Sequence, residues 1–226
     1  MVSPFRLLRI AKTSFPIRTA AAVVGALAVL SGFRLWSQAL PATAAALPGA
    51  VASSGGAAQI LDLLGSLAQF DQRGRDPGHK VGFEIPESAV NEYLAYALRS
   101  SPRPGIAGMK VTLLPNNEVL AAVEIDFDMV RGWGEEIVPK RLRETLGGRR
   151  TIQVNGRVEA GGGVFSFALR DAHGPDGREL SKSVAAGILK AIGLRQPEAY
   201  DTARPMPLPF GLKRVWTRRQ ILCGET

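Results

Sequence analysis

Four runs of apolar residues at every second position constrain this chain more than any other feature. They are Met109, Val111 and Leu113; then Val119, Ala121, Val123, Ile125, Phe127 and Met129; then Ile152, Val154, Gly156 and Val158; and last Phe165, Phe167 and Leu169. Successive side chains point to opposite faces of a strand, so each run predicts an extended segment with one apolar and one wet face. Asn116-Asn117 separates the first two runs and Gly161-Gly162-Gly163 the last two, which makes two hairpins. The second run is expected to stay extended as far as Met129, with Glu124, Asp126 and Asp128 together on its wet face.

Helical spacing appears in three places. Ile60, Leu61, Leu64, Leu67 and Ala68 recur on one face of residues 57 to 70, widened by Leu63 and Phe70. Ala89, Val90, Tyr93, Leu94, Ala97 and Leu98 form a second stripe that Pro102 and Pro104 end, and Val184, Ala185, Ile188, Leu189 and Ile192 form a third with Gly193 as its stop. Val81, Phe83 and Ile85 predict a short strand closed by Pro86. The proline-rich run 205 to 209 is barred from a sheet interior, and residues 212 to 223 are expected to form one final strand. The fold class is therefore α+β, a mainly antiparallel sheet with amphipathic helices on its apolar face.

The amino terminus has a different character. Arg6, Arg9, Lys12 and Arg18 lead with no acid among them, residues 20 to 33 carry no charge, and Ala42-Thr43-Ala44 and Ala44-Ala45-Ala46 each offer a small-residue cleavage site. Two outcomes fit this export segment: removal after Ala44 or Ala46, or retention of residues 17 to 36 as an anchor, 20 residues being about one bilayer span. Either way the basic flank stays inside and the rest works on the outer side of the cytoplasmic membrane, in the periplasm or cell envelope. Three segments follow: residues 1 to 44 as signal or anchor, 45 to 78 as tether and amphipathic helix, and 79 to 226 as the folded domain. Without the five basic residues of the first segment, 23 Lys and Arg face 20 Asp and Glu, and the formal charge drops from +8 to +3. The basic character of the whole chain is thus no argument for nucleic acid, which is not expected as a partner. The lone Cys223 excludes an intramolecular disulfide.

Little in the sequence points to catalysis. His79 and His173 are the only histidines, so no His-rich metal site and no HExxH-type motif can be built, and no cofactor is expected. His173 falls in Asp171-Ala172-His173-Gly174-Pro175-Asp176-Gly177, which reads as a solvated turn. Carboxylates on the wet face of a strand meet little desolvation, and the three glycines lead into a strand instead of opening a helix, so they are no phosphate loop. Two basic clusters, 140 to 150 and 213 to 219 with Trp216, read as solvated surface, with an anionic membrane surface as the polyanion within their reach.

Three local patterns resemble a known family. The run from Val81-Gly82-Phe83-Glu84-Ile85-Pro86 into Glu87-Ser88-Ala89-Val90-Asn91-Glu92-Tyr93-Leu94 is similar to the opening of LmeA-like exported phospholipid-binding proteins and their YpmS-like relatives. Val123-Glu124-Ile125-Asp126-Phe127-Asp128-Met129 and Pro207-Leu208-Pro209-Phe210-Gly211-Leu212 resemble the same family, the likeness covering about residues 79 to 224. The resemblance implies a fold of the tubular lipid-binding kind (TULIP-like): a curved sheet, a half-barrel, wrapped about a helix and enclosing an apolar groove. The family often has a proline before its second helix, where this chain has Leu180-Ser181-Lys182-Ser183.

The expected function is therefore non-enzymatic: an exported, membrane-tethered or released protein that takes a phospholipid or acyl chain into that groove. Its lining would come from Phe83, Ile85, Val111, Leu113, Ala121, Val123 and Ile125, continued by Phe127, Met129, Ile152, Val154, Phe165 and Phe167. Alternation shows which face is apolar and not what covers it, so the same residues also suit a filled core. Two other readings stand beside this one. An envelope scaffold that binds protein would need an open sheet edge and an apolar patch. An envelope hydrolase acting on lipid-linked glycans would need convergent acids in a cleft.

Overall fold

A computed structural model describes residues 55–76, 78–131, 147–197, 199–202 and 204–226. The predicted signal or anchor, with its cleavage sites, and most of the basic cluster 140 to 150 lie outside the described residues. Among the described residues no helix is long and apolar enough to cross a membrane.

The described residues form an α+β fold with two antiparallel sheets. Strands β2 (Ile106–Leu113), β3 (Glu118–Asp126), β4 (Arg149–Gly161), β5 (Val164–His173) and β6 (Met206–Pro207) follow one another as a five-stranded meander, strongly curled into a half-barrel. The smaller sheet has the order β1 (Gly82–Pro86), β8 (Ile221–Glu225), β7 (Arg214–Arg218). Among the described residues four α-helices accompany them: α1 (Gly55–Gln72), α2 (Glu87–Ser100), the one-turn α3 (Phe127–Arg131) and α4 (Lys182–Leu194). Helix α1 packs on α2, α2 on β2, and α4 on β5.

The alternating runs explain the large sheet. Val119, Ala121, Val123 and Ile125 are buried at every second position of β3, and Ile152, Val154 and Val158 match them on β4. Gly162 and Gly163, both at positive φ (61° and 78°), form the two-residue turn into β5. Bulges curl the sheet: on β5 the register passes from Gly156 opposite Leu169 to Asn155 opposite Asp171, leaving Arg170 as the extra residue. Past the bulge Ala172 takes the inner face, and Asp171 and His173 turn outward.

The outer edge of β2 is closed by α2 in an unusual way. The Asn91 side chain donates to the Val111 carbonyl (2.8 Å) and accepts from the Val111 amide (2.7 Å), as a neighbouring strand would. One turn earlier, Glu87 accepts from the Leu113 amide at 2.7 Å. At the other edge β6 adds two residues, consistent with the proline run being confined to an edge.

Several expectations need correction. The second run stops being a strand at Asp126, whose carboxylate accepts from the Met129 amide (3.1 Å) and caps α3. Met129 therefore leaves the inner row and is 49% exposed, while Phe127 stays buried at the first turn. The final segment is a hairpin, β7 and β8, and no single strand, because Gln220 adopts positive φ (59°) and reverses the chain. Gly193 lies inside α4 and stops nothing: a side chain there would meet the Tyr200 ring at 2.6 Å and the Tyr200 carbonyl at 2.7 Å, so it is the place where residues 199–202 pack on the helix. Where the resembled family has a proline, Ser181 caps α4 by accepting from the Val184 amide (3.4 Å).

Candidate functional site

The predicted lining residues divide into three groups. Val111, Leu113, Ala121, Val123, Ile125, Phe127, Ile152, Val154 and Phe165 are all at least 97% buried in one apolar cluster inside the half-barrel, and Phe167 is half-buried beside them. Phe83 and Ile85 belong to the smaller sheet and join the same buried cluster from there, where they also border a small cavity. Met129 lies on α3 with its sulfur accepting from the Gly105 amide (3.0 Å).

The second group marks the apolar cavity. It holds about 30 Å³ and lies between α1, α2 and the inner face of β1, β7 and β8. From α1 come Ile60, Leu63, Leu64 and Leu67; from α2 Val90 and Tyr93; from the small sheet Phe83, Ile85, Val215 and Leu222, with Leu212 completing the wall. Such a lining gives a guest no hydrogen-bond partner except the Tyr93 hydroxyl, and suits hydrocarbon. Burial, and secondarily the neighbouring Tyr96, pushes the Tyr93 phenol far above its ordinary value, so it stays protonated.

The sequence reading missed most of this wall. Helix α1 falls in the segment assigned to the lead-in, and Leu212, Val215 and Leu222 were hidden in a strand drawn straight through the 218 to 221 turn. The available signal was the break in alternation at Arg218-Arg219-Gln220, which sets Val215 and Leu222 on the same face of two strands.

Polar features give less. A pocket of about 270 Å³ on the outer face of the large sheet is lined by Thr151, Gln153, His173, Gly174, Pro175 and Gly177. His173 stands 3.6 Å from Asp171, which accepts from the Asn155 amide (3.0 Å), but both side chains are more than a third exposed. Of the three carboxylates expected on one face, Glu124 and Asp126 keep it at the end of β3, Glu124 beside Gly108 and Asp126 capping α3, while Asp128 leaves it for α3. No metal-binding cluster of His, Cys, Asp and Glu occurs among the described residues. In the basic cluster 213 to 219, Arg214 lies over the Trp216 ring (4.9 Å) and pairs with Glu225 (2.7 Å), and Arg218 pairs with Glu84 (2.9 Å). These pairings offset much of its charge. No family model, curated protein or solved structure matches the chain.

The inner face of the large sheet gives a direct test of packing. Ala121 is 1% exposed and stands between Val111 and Val154 on the flanking strands, both buried. Ala121→Trp is expected to cost about 1–3 kcal/mol, seen as a lower urea midpoint. Unchanged stability would mean that open space lies beneath this strand.

Proposed function

We propose that this chain is an exported protein, working on the outer side of the cytoplasmic membrane, that holds an acyl chain or phospholipid in its apolar interior. The observation that carries the reading is the cavity walled by α1 and the small sheet, apolar on every side. Together the Ile60, Leu63, Leu64 and Leu67 side chains hold about as many carbons as one long acyl chain, and they stand where such a chain would lie. Displacing α1 exchanges one set of apolar contacts for another, so the exchange costs little hydrophobic free energy. The curled half-barrel accords with a fold of the tubular lipid-binding kind, as the LmeA-like and YpmS-like resemblance implies. The basic residues ahead of the amino-terminal apolar run support the outward location.

The protein-binding reading lacks the open edge it needs at β2, where Asn91 and Glu87 occupy the strand's donors and acceptors. Lipid extraction and mass spectrometry of the protein purified from membranes test the proposal. About one lipid per chain is the expected result. Absence of lipid, together with no binding of a fluorescent fatty acid, overturns it.

A further inference from the structure

We infer that α1 is a displaceable strap: seated, it closes the apolar cavity against hydrocarbon, and Glu92 latches its first turn in that position. This deepens the lipid reading and rests on it for the identity of the guest, whereas the opening of the strap is measured without one.

The space beneath α1 is about 30 Å³, room for about one or two water molecules. An acyl chain therefore enters only when a wall moves. The small sheet is a poor candidate, because β8 is paired along both edges, to β1 and to β7. Helix α2 is bound into the edge of β2 through Asn91 and Glu87. Helix α1 lends the wall Ile60, Leu63, Leu64 and Leu67, and these face the gap with part of their dispersion attraction missing. Its firmer contacts are at its two ends.

At the amino-terminal end the Gly56 amide donates to the Glu92 carboxylate of α2 at 2.9 Å. The positive end of a helix favours a carboxylate in this place. The two helices also approach closely there: a Cβ at Gly56 would stand 2.7 Å from the Ala89 Cα and 3.0 Å from its Cβ. At the other end Arg75, just past the helix, lies on the turn Pro209–Gly211, where a Cβ at Gly211 would meet the Arg75 Cδ and Nε at 2.9 Å. The same Nε pairs with Asp71 in the last turn of α1 (2.7 Å). Both polar contacts are open to solvent, so water replaces each of them at little cost.

The connector behind α1 is suited to swinging. Residues 72–76 and 78–80 are exposed, Gly74 and Arg75 have positive φ (78° and 59°), and attachment to the sheet resumes at Val81, whose amide donates to the Thr226 side chain. Turning about this segment lifts α1 and leaves the pairing of β1 with β8 intact, since that pairing starts at Gly82. Lifted, α1 bares Val90 and Tyr93 of α2 together with Phe83, Ile85, Val215 and Leu222 of the small sheet. Hydrocarbon laid over them restores the lost burial, so a bound acyl chain and the seated helix exclude each other.

The test uses the full chain in phosphatidylcholine nanodiscs, with hydrogen exchange read by mass spectrometry. Corrected for intrinsic rates, amides of residues 60 to 70 are expected to exchange at least about tenfold faster than those of β3 and β4, because lifting α1 breaks no sheet pairing. Glu92→Ala should speed that exchange by about three- to tenfold, the loss of one exposed charge-assisted contact. Gly56→Ala favours the helix itself yet pushes it off Ala89, so it should speed exchange too, which a merely frayed helix would not do. A disulfide from Gly56→Cys with Ala89→Cys locks the strap, the 3.0 Å between the two Cβ positions being about half an ångström short of the usual span. Oxidised, this variant should lose the fast exchange and the photolabelling of residues 60 to 67 and 212 to 222 by a diazirine-bearing palmitate, and dithiothreitol should restore both. If the disulfide does not form, the two single variants decide by exchange alone. Exchange in α1 as slow as in β3 and β4, in the wild type and in both single variants, overturns the strap. Palmitate labelling that is equal in the oxidised and reduced forms also overturns it and leaves the lipid reading standing. Exchange that follows the latch, with no labelling of any form, supports the strap and sinks the lipid reading.

Discussion

Phe165→Ala is expected to lower the unfolding free energy by about 3–5 kcal/mol, the largest single-residue loss in the half-barrel. Phe165 is the bulkiest of the nearly fully buried side chains, at 1% exposure, and it sits where β5 is flanked by Ala160 on β4 and Met206 on β6. With two small or thin neighbours the site cannot collapse easily, so most of the lost volume stays as a cavity. Domains of this size are stable by roughly 5–15 kcal/mol, and the variant should therefore be partly unfolded well below the wild-type midpoint. Urea titration gives the answer through the midpoint at constant slope. A loss under 1 kcal/mol would mean that this part of the barrel is not packed as described.

Asn91→Ala has the next largest expected effect, and a different character. It deletes both hydrogen bonds to Val111, leaving one backbone amide and one carbonyl of β2 without partners at a partly buried edge. Each orphaned group costs about 1–3 kcal/mol, so a total of about 2–4 kcal/mol is expected after partial rescue by water. The bared edge is also a template for another strand. Asn91→Ala should therefore show concentration-dependent association by light scattering, which Phe165→Ala in its folded state should not. Asn91→Asp retains one acceptor and is expected to lie between wild type and alanine. A monomeric Asn91→Ala of wild-type stability would show that the pairing does no structural work.

The difference between these residues also shows what a sequence can reveal. Phe165 was legible, because alternation along residues 165 to 169 assigns it to an inner face whatever the partner strand is. Asn91 was not. On the helical period it falls with Glu87 on the polar side of α2, and nothing local distinguishes a polar residue facing water from one facing a strand edge. The same limit applies to Met129, where apolar alternation continued past Asp126 although the capping carboxylate had already turned the chain into a helix.

The candidate site was legible only in part, for a related reason. Phe83 and Ile85 could be assigned to an apolar face, but their companions Ile60, Leu64, Val215 and Leu222 are remote in sequence and meet only in the folded chain.

The small sheet has a consequence for the order in which the molecule can be assembled. Its central strand β8 pairs with β1, and beside that pairing the Val81 amide donates to the Thr226 side chain (3.0 Å) across 145 residues of sequence. The meander from β2 to β5 pairs neighbours in sequence and can form as the chain leaves the ribosome, since short loops close quickly. The wall behind α1 cannot. Until residues 221 to 225 have been synthesised, Phe83 and Ile85 have no β8 to pair with, and Ile60, Leu64 and Leu67 present an uncovered greasy stripe to any chaperone that meets the nascent chain.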